Sequence, residues 1–561
     1  MAELFLPPGL LLVFGALLMP LGIKVRYTLI FSLPVICLIL IWSAPLGYVV
    51  TLPFLGFELE PIKVTMTGRL FATVFCLMTL VGGIFAYRQA NTLELSAAFV
   101  YAGSAIGVTL SGDLITLFIF WEIMAIGSTL VIWAAQHEGA YRASIRYLMI
   151  HLLGGLLLMA GIAGHVVETG SISFEALSLE SISQYLILAG FLINAGAPPL
   201  SAWIADAYPE ASPSGSVFLS AFTTKTAVFT LLIAFPGTWL LIPIGIYMIF
   251  YGIIYALLEN DMRRILAYSI VNQVGFMITG IGLGTEMALN GAAAHAFVHI
   301  IYKALLLMSA GAVLYRTGKR RCTDLGGLFQ TMPWTAVLGI IGALAISSFP
   351  FTSGFVTKSM IAQSAAEQYL PIVWFALAAA SAGVFLHAGI KFPWFVFFQK
   401  DSGMRPPEAP RNMLVAMSVF AVFCVGIGVH PEPLYAMLPY AVNYEPYTAA
   451  HLVAQFQLLL FAGLAFFVML PMMKRTLTIS LDFDWFYRKL LASLEKPGFN
   501  FIQRFNTVAL QFINQTWLRF QTLFQKSHFS RYHLASSWPT GSMVLWIGII
   551  LGGYLLMDVY F

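Results

Sequence analysis

The chain has 561 residues, 59% of them hydrophobic and only 10% charged. A soluble domain carries about 25% charged residues, so a water-soluble enzyme, a disordered tail and a secreted disulfide scaffold are all excluded. The charges, 29 Lys and Arg against 25 Asp and Glu, leave a net +4 with no basic domain apart from the apolar runs, so nucleic acid is not an expected partner.

The N-terminus reads Met-Ala-Glu before its first apolar run. A secretory signal would want basic residues there, so the run predicts a first spanning helix, closed by Lys24 and Arg26. A span needs about 20 apolar residues. About sixteen segments qualify: 6–23, 27–46, 69–87, 94–111, 114–135, 145–167, 183–205, 214–235, 237–258, 265–284, 287–315, 332–362, 372–398, 413–430, 451–472 and 541–558. The stretch 47–68, with Pro53, Gly56 and Pro61, reads as an exposed hairpin or loop. The expected fold is an all-α polytopic membrane protein of about 14–16 transmembrane helices.

The basic residues orient these spans. With the N-terminus outside, only Lys63 and Arg69 of the 29 Lys and Arg lie outside. Lys225, Lys303, Lys358 and Lys391 lie within spans, and every other one falls on the inner side. That asymmetry is the positive-inside rule, and a wrong helix count would scramble it. Segment 476–540 also lies inside. Within it, 499–526 places Phe501, Phe505, Phe512, Trp517 and Phe524 on one face and Arg504, Gln511, Gln515 and Thr522 on the other. This pattern predicts an amphipathic helix along the membrane or along a partner. Cys37, Cys76, Cys322 and Cys424 are far apart with no CxxC spacing, so neither a disulfide framework nor an iron–sulfur site is expected. No cofactor or metal is implied.

A charge at mid-bilayer is costly and usually serves a pathway. Glu122 sits about eight residues into its span, within Phe-Ile-Phe-Trp-Glu-Ile-Met, and Lys225 lies mid-span in Phe-Thr-Thr-Lys-Thr-Ala. A buried ammonium must pair or lose its proton readily, and either outcome suits a proton carrier. His295, His299 and Lys303 are spaced i, i+4, i+8 and share one helical face. They form a ladder of titratable groups in which imidazole accepts on one nitrogen and releases from the other. Zinc is the rival ligand, but no nearby Cys or carboxylate completes a site. His387 and Lys391 approach the inner end of their span; snorkelling explains Lys391, and a pathway exit is the alternative.

Two spans carry breaks at membrane depth: Asn194-Ala-Gly-Ala-Pro-Pro-Leu, and Ser347-Ser-Phe-Pro-Phe-Thr-Ser-Gly followed by Lys358. Irregular backbone there is tolerated only against protein or water. These are the seventh and twelfth spans, so they run in opposite directions, as paired broken helices do in inverted-repeat transporters. The expected organisation is N-terminal helices with an outer loop over 1–90, five-helix repeats over 91–235 and 236–400, and two spans over 401–475. The amphipathic segment 476–540 and a final span in 541–561 follow.

Trp121-Glu122, the run Pro199-Leu-Ser-Ala-Trp-Ile-Ala-Asp-Ala, Lys225 and Arg263-Arg-Ile-Leu-Ala-Tyr-Ser occur in order, followed by His295-Ala-Phe-Val-His-Ile-Ile-Tyr-Lys-Ala-Leu-Leu and Thr352-Ser-Gly-Phe-Val-Thr-Lys. Together they resemble the antiporter-like subunits. That family includes the D subunit of multisubunit sodium/proton antiporters and the proton-pumping subunits of respiratory complex I and membrane-bound hydrogenases. The resemblance covers roughly residues 60–400. It implies about fourteen spans with two inverted five-helix repeats, in a bacterial inner membrane, with other membrane subunits as partners and protons and monovalent cations as cargo. It implies an ion-transporter subunit rather than an enzyme; in a redox complex, the redox chemistry would lie in partner chains.

The resemblance also implies roles. Glu122 matches the fifth-helix glutamate that pairs with a seventh-helix lysine. Lys225 matches the eighth-helix lysine, a position that favours the D-type branch. His299 and Lys303 match the eleventh-helix relay, and Lys358 an exit-side lysine after the twelfth-helix break. One position departs from the pattern. Counting back from Trp203, the seventh-helix lysine falls at Asn194, which cannot carry charge. Lys225 then pairs with Glu122, or a water chain carries protons past Asn194, or this copy has become a scaffold. The C-terminal segment exceeds the D-type core and is similar to the lateral helix of the largest complex I antiporter-like subunit.

Overall fold

A computed structural model describes residues 7–472, 481–490, 518 and 540–560. The chain divides into two compact units, Met1–Trp485 and Phe486–Phe561. The amphipathic helix expected at 499–526 lies outside the described residues, apart from Leu518.

Among the described residues, twelve helices are long and apolar enough to cross a membrane by length and composition, and four shorter apolar helices accompany them. Each falls in one of the sixteen segments marked by the sequence. In chain order the first unit holds α1 (Pro8–Leu18), α2 (Ile23–Ser43), α3 (Met66–Ala86), α4 (Thr92–Leu110), α5 (Leu114–Trp133) and α6 (Glu138–Thr169). Then come α7 (Ile182–Ala195), α8 (Trp203–Ala207), α9 (Gly215–Leu219), α10 (Thr223–Ala234), α11 (Leu241–Leu258), α12 (Met262–Leu283) and α13 (Glu286–Thr317). After these come α14 (Pro333–Ile346), α15 (Ser353–Glu367), α16 (Pro371–Val384), α17 (Arg411–Val429), α18 (Glu432–Tyr435) and α19 (Ala449–Val468). The second unit contains α20 (Thr540–Tyr560).

Polar caps, which hydropathy does not weigh, set the helix ends. Asn91, Asp113, His137 and Thr285 each accept a hydrogen bond from a first-turn amide of α4, α5, α6 and α13. The His137 cap starts α6 at Glu138, ahead of the apolar run at 145, so its first two turns are polar. Between α2 and α3 the chain forms an antiparallel hairpin, β1 (Val49–Phe54) and β2 (Phe57–Lys63), turning through Leu55 and Gly56 at positive φ. Its Glu60 amide donates to Asp113 Oδ2 at 2.7 Å, fastening the hairpin to the start of α5.

Helices α12 and α13 form the centre of the unit: the apolar window of α12 is 100% buried and that of α13 94%, against 22% for α2 and 17% for α19. Glycines allow α11 and α12 to cross closely. A Cβ on Gly275 of α12 would lie 2.6 Å from the Gly245 carbonyl oxygen and 2.9 Å from the Ile249 amide nitrogen of α11, backbone atoms that cannot swing aside. Gly275→Leu is therefore expected to destabilise the protein by about 1–3 kcal/mol, the usual cost of overpacking. A lowered thermal midpoint in detergent checks this; an unchanged midpoint argues against the close crossing.

Among the described residues three spans are interrupted, one more than the sequence indicated. After α7 the backbone turns at Gly196 (φ 79°) and passes a cis Pro198–Pro199 bond before α8. Trp203 Nε1 donates to the Ile193 carbonyl at 3.0 Å, a second bond to an acceptor that already holds the Gly196 amide at the break. Between α14 and α15 Ser348 and Phe351 adopt positive φ, and Gln455 Nε2 donates to the Ser348 carbonyl at 3.0 Å. The span holding Lys225 also opens, between α9 and α10.

Candidate functional site

These interruptions explain where the membrane lysines sit. Lys225 follows the gap between α9 and α10, and its Nζ donates to the Ser220 carbonyl at 2.6 Å and Thr224 Oγ1 at 3.0 Å. Lys358 follows the gap between α14 and α15, donating to the Ile346 carbonyl at 3.0 Å and lying 4.7 Å over the Phe276 ring. Each ammonium thus meets a carbonyl that the break leaves free, at the partially negative end of a helical segment. Glu122 is not the partner of Lys225.

Lys391 is also buried. It donates to the carbonyls of Ala256 at 2.6 Å, Leu257 at 2.8 Å and Glu259 at 2.7 Å. The snorkelling expected from its position gives way to a cap on the C-terminal end of α11, because those carbonyls lie within reach and satisfy the charge inside the protein. His387 Nδ1 lies 2.8 Å from the Gly383 carbonyl, and its Nε2 is buried without a hydrogen-bond partner among the described residues.

Lys303 differs from the other three. It is fully buried on α13, and among the described residues its Nζ has no hydrogen-bond partner. Both ring nitrogens of His299, one turn earlier, are likewise unpartnered. His295, a further turn back, is held firmly: Nε2 lies 3.0 Å from Gln273 Oε1 and Nδ1 3.1 Å from Thr357 Oγ1. Tyr302 donates to Gln273 Oε1 at 3.2 Å. Thr357 ties the histidine ladder of α13 to α15, the helix that also carries Lys358. Gln273 and Thr357 were missed by the sequence reading. The adjacent amides Asn272-Gln273 inside an apolar span were a visible signal for the first; Thr357 carried none.

Glu122 and Asn194 lie on two sides of Gly154 and Gly155 of α6. A Cβ on Gly155 would overlap the Glu122 carboxylate, and one on Gly154 would lie 3.5 Å from Asn194 Oδ1. Glu122 Oε1 and both amide atoms of Asn194 are buried and unpartnered among the described residues. Buried polar atoms are almost always satisfied, by water where not by protein. Such unpartnered atoms on Glu122, Asn194, His299 and Lys303 lie among the buried polar groups of the bundle. Beyond Lys358 a cavity of about 680 Å³ opens, lined also by Ser348, Gln363, Glu367, His451 and Gln455. It lies at the end of the bundle opposite the Arg-rich loops.

The Arg-rich end is closed by ion pairs. Arg146 makes a bidentate pair with Asp206 at 2.7 and 2.8 Å. Arg320 bridges Glu210 and Asp261, each at 3.0 Å. Burial pushes the Asp261 carboxyl up, against the pull of Arg320. Arg263 donates to the carbonyls of Pro209, Ala211 and Ser212 at 2.7–2.8 Å. These arginines mark the inner side in the sequence; in the fold several also tie the chain around α8 to α12.

The transmembrane family described as NADH:quinone oxidoreductase/Mrp antiporter matches residues 111–385, the stretch that carries these groups from Glu122 to Lys358. The matched stretch belongs to this antiporter-like family. The D subunit of the Na(+)/H(+) antiporter of Alkalihalophilus pseudofirmus is 27% identical over 418 residues, 69% of this chain and 84% of its own length. The M subunit of the NADH-quinone oxidoreductase of Pseudomonas aeruginosa is 27% identical over 70% of this chain and 81% of its own length. The A/B subunit of a probable K(+)/H(+) antiporter of Rhizobium meliloti is 29% identical over 70% of this chain, but the match spans only 41% of that longer protein.

The antiporter-like fold extends to solved structures. One chain of the Mrp complex from Dietzia sp. DQ12-45-1b superposes with a TM-score of 0.70 at 20% identity, covering 82% of this chain and 97% of its own. A chain of the membrane-bound sulfane sulfur reductase, an archaeal respiratory membrane complex, gives 0.71 at 21% identity and covers 99% of this chain and 100% of its own.

Proposed function

We propose that the chain is a D-type, proton-translocating membrane subunit of a multisubunit monovalent cation (Na+)/proton antiporter, working in a bacterial inner membrane beside other membrane subunits. The observation that carries this reading is the set of buried titratable groups, several unpartnered among the described residues, together with the cavity that Lys358 lines. Protons pass from Glu122 to Lys225, then His299 and Lys303, then Lys358. Anchored ammoniums at Lys225 and Lys358 hold charge on helix-end carbonyls, and the unanchored Lys303 exchanges it between them. The likeness to the D subunit of an antiporter over 84% of its length supports the branch.

The likeness to the M subunit of an oxidoreductase over 81% of its length favours a second reading, a proton-pumping subunit of a complex I-like oxidoreductase or hydrogenase. The purified complex in vesicles separates the two. In the first reading a Na+ pulse moves protons, seen with a pH-sensitive dye, without any electron donor. In the second, proton movement requires a reductant and its acceptor. In either, Glu122→Gln and Lys225→Ala are expected to lower the rate by about a hundredfold, the low end for a positioned proton carrier. Full transport in both variants sinks the transport reading.

A further inference from the structure

Asn194 interrupts the course beside Glu122, because an amide neither gains nor loses a proton near neutral pH. We propose that His151 of α6 supplies the missing proton-carrying group there, taking up a proton on Nε2 and passing it to Glu122. The inference rests on the reading of the chain as a proton-translocating subunit.

The placement comes from one face of α6. His151, Gly154 and Gly155 are spaced i, i+3, i+4 and share that face. Gly155 abuts the Glu122 carboxylate and Gly154 the Asn194 side chain. His151 stands one turn nearer the Arg-rich end, about 6 Å along the axis from Gly155. Trp203 connects it to the helix break: the indole lies edge-on to the imidazole, with centroids 4.6 Å apart, while Nε1 donates to the carbonyl of Ile193, the neighbour of Asn194.

The imidazole is set for the task. It is 1% exposed, and Nδ1 lies 2.9 Å from the Tyr147 carbonyl. A carbonyl only accepts, so Nδ1 carries the hydrogen and neutral Nε2 presents a lone pair. Nε2 is buried and unpartnered among the described residues, as are the Asn194 side chain and Glu122 Oε1 beside the two glycines.

A stacked tyrosine ties the imidazole to the start of α10. The Tyr147 ring stacks on His151 at 3.8 Å. Its hydroxyl is 3.2 Å from Thr223 Oγ1, and the next residue, Thr224, accepts from Lys225 Nζ. In the proposed step Nε2 gains a proton from a hydrogen-bonded water and loses one, through a second water, to the Glu122 carboxylate. The imidazole returns to neutral, so the transfer adds and removes no electrons. Asn194 orients the water by donating from its amide and accepting at its carbonyl.

The test uses the complete complex in vesicles with His151→Gln and His151→Asn. Asn can keep the bond to the Tyr147 carbonyl, Gln reaches as far as Nε2, and neither titrates. Both complexes are expected to assemble and to transport protons about a hundredfold more slowly. Adding Asn194→Lys to His151→Gln is expected to restore at least about half of the original rate, a rescue that repair of packing alone would not give. An assembled variant that keeps more than about half the rate overturns the proposal, as does failure of Asn194→Lys to rescue. Loss of assembly in both variants also overturns it, by showing a structural role. Full rate in His151→Gln with loss in Glu122→Gln refutes this inference alone. Full rate in Glu122→Gln and Lys225→Ala refutes the underlying reading as well.

Discussion

Lys303→Ala complexes should assemble normally and lose proton transport. Removing Lys225 or Lys358 strips a donor from a carbonyl at a helix break, so those variants mix a transport defect with local damage to the fold. Lys303 has no hydrogen-bonded partner among the described residues, and truncating it orphans nothing. The cost to folding is confined to the space left by the side chain, and the whole proton-carrying contribution is lost, about a hundredfold or more in rate. Yield of assembled complex and dye-reported proton flux in vesicles measure the two separately. A Lys303→Ala complex with normal yield and more than about half the flux would move the proton course elsewhere and favour the scaffold alternative raised by Asn194.

The contrast between Lys303 and its three counterparts could not be read from the sequence. All four lysines look alike there, single cations in apolar runs. What separates them is whether a freed carbonyl lies within reach, and that depends on where helices end. Two breaks were visible because proline and glycine announce them, at Pro198-Pro199 and at Pro350. The third, between α9 and α10, has neither proline nor glycine within it: residues 220–222 are Ser-Ala-Phe. Tertiary packing overrode a sequence with no local reason to stop. The topology was legible because sixteen apolar runs and the placement of basic residues constrained each other. Glu122, Lys225, His295, His299, Lys303 and Lys358 were legible because a charge or imidazole in an apolar run is conspicuous.

His151 is the instructive omission. It sits in Met-Ile-His-Leu-Leu-Gly-Gly, as apolar a setting as that of His295, but it stands alone on its helix face and forms no ladder. Its significance comes from the two glycines that follow it, which bring Glu122 and Asn194 close to the same face. Glycine in a helix reads as a packing residue, and the sequence does not say what packs against it.

Lys391→Met tests the opposite case, a buried lysine whose work is structural. Methionine fills a similar volume without a charge, so the change removes hydrogen bonds with little loss of packing. The carbonyls of Ala256, Leu257 and Glu259 lose their shared donor. Each buried acceptor left unsatisfied costs roughly 1–3 kcal/mol. Those residues lead into Asp261, the cap of α12, so loosening there spreads to the Arg320 bridge and the Arg-rich end. The expected result is a lower thermal midpoint and a reduced yield of assembled complex, with the proton flux of each surviving complex near that of the unmodified protein. Were Lys391 instead a proton exit, yield would hold and flux per complex would collapse. The two roles predict opposite outcomes in the same pair of measurements. A cap matches the geometry because three carbonyls on one ammonium hold its proton firmly, whereas an exit group must release its proton in every cycle.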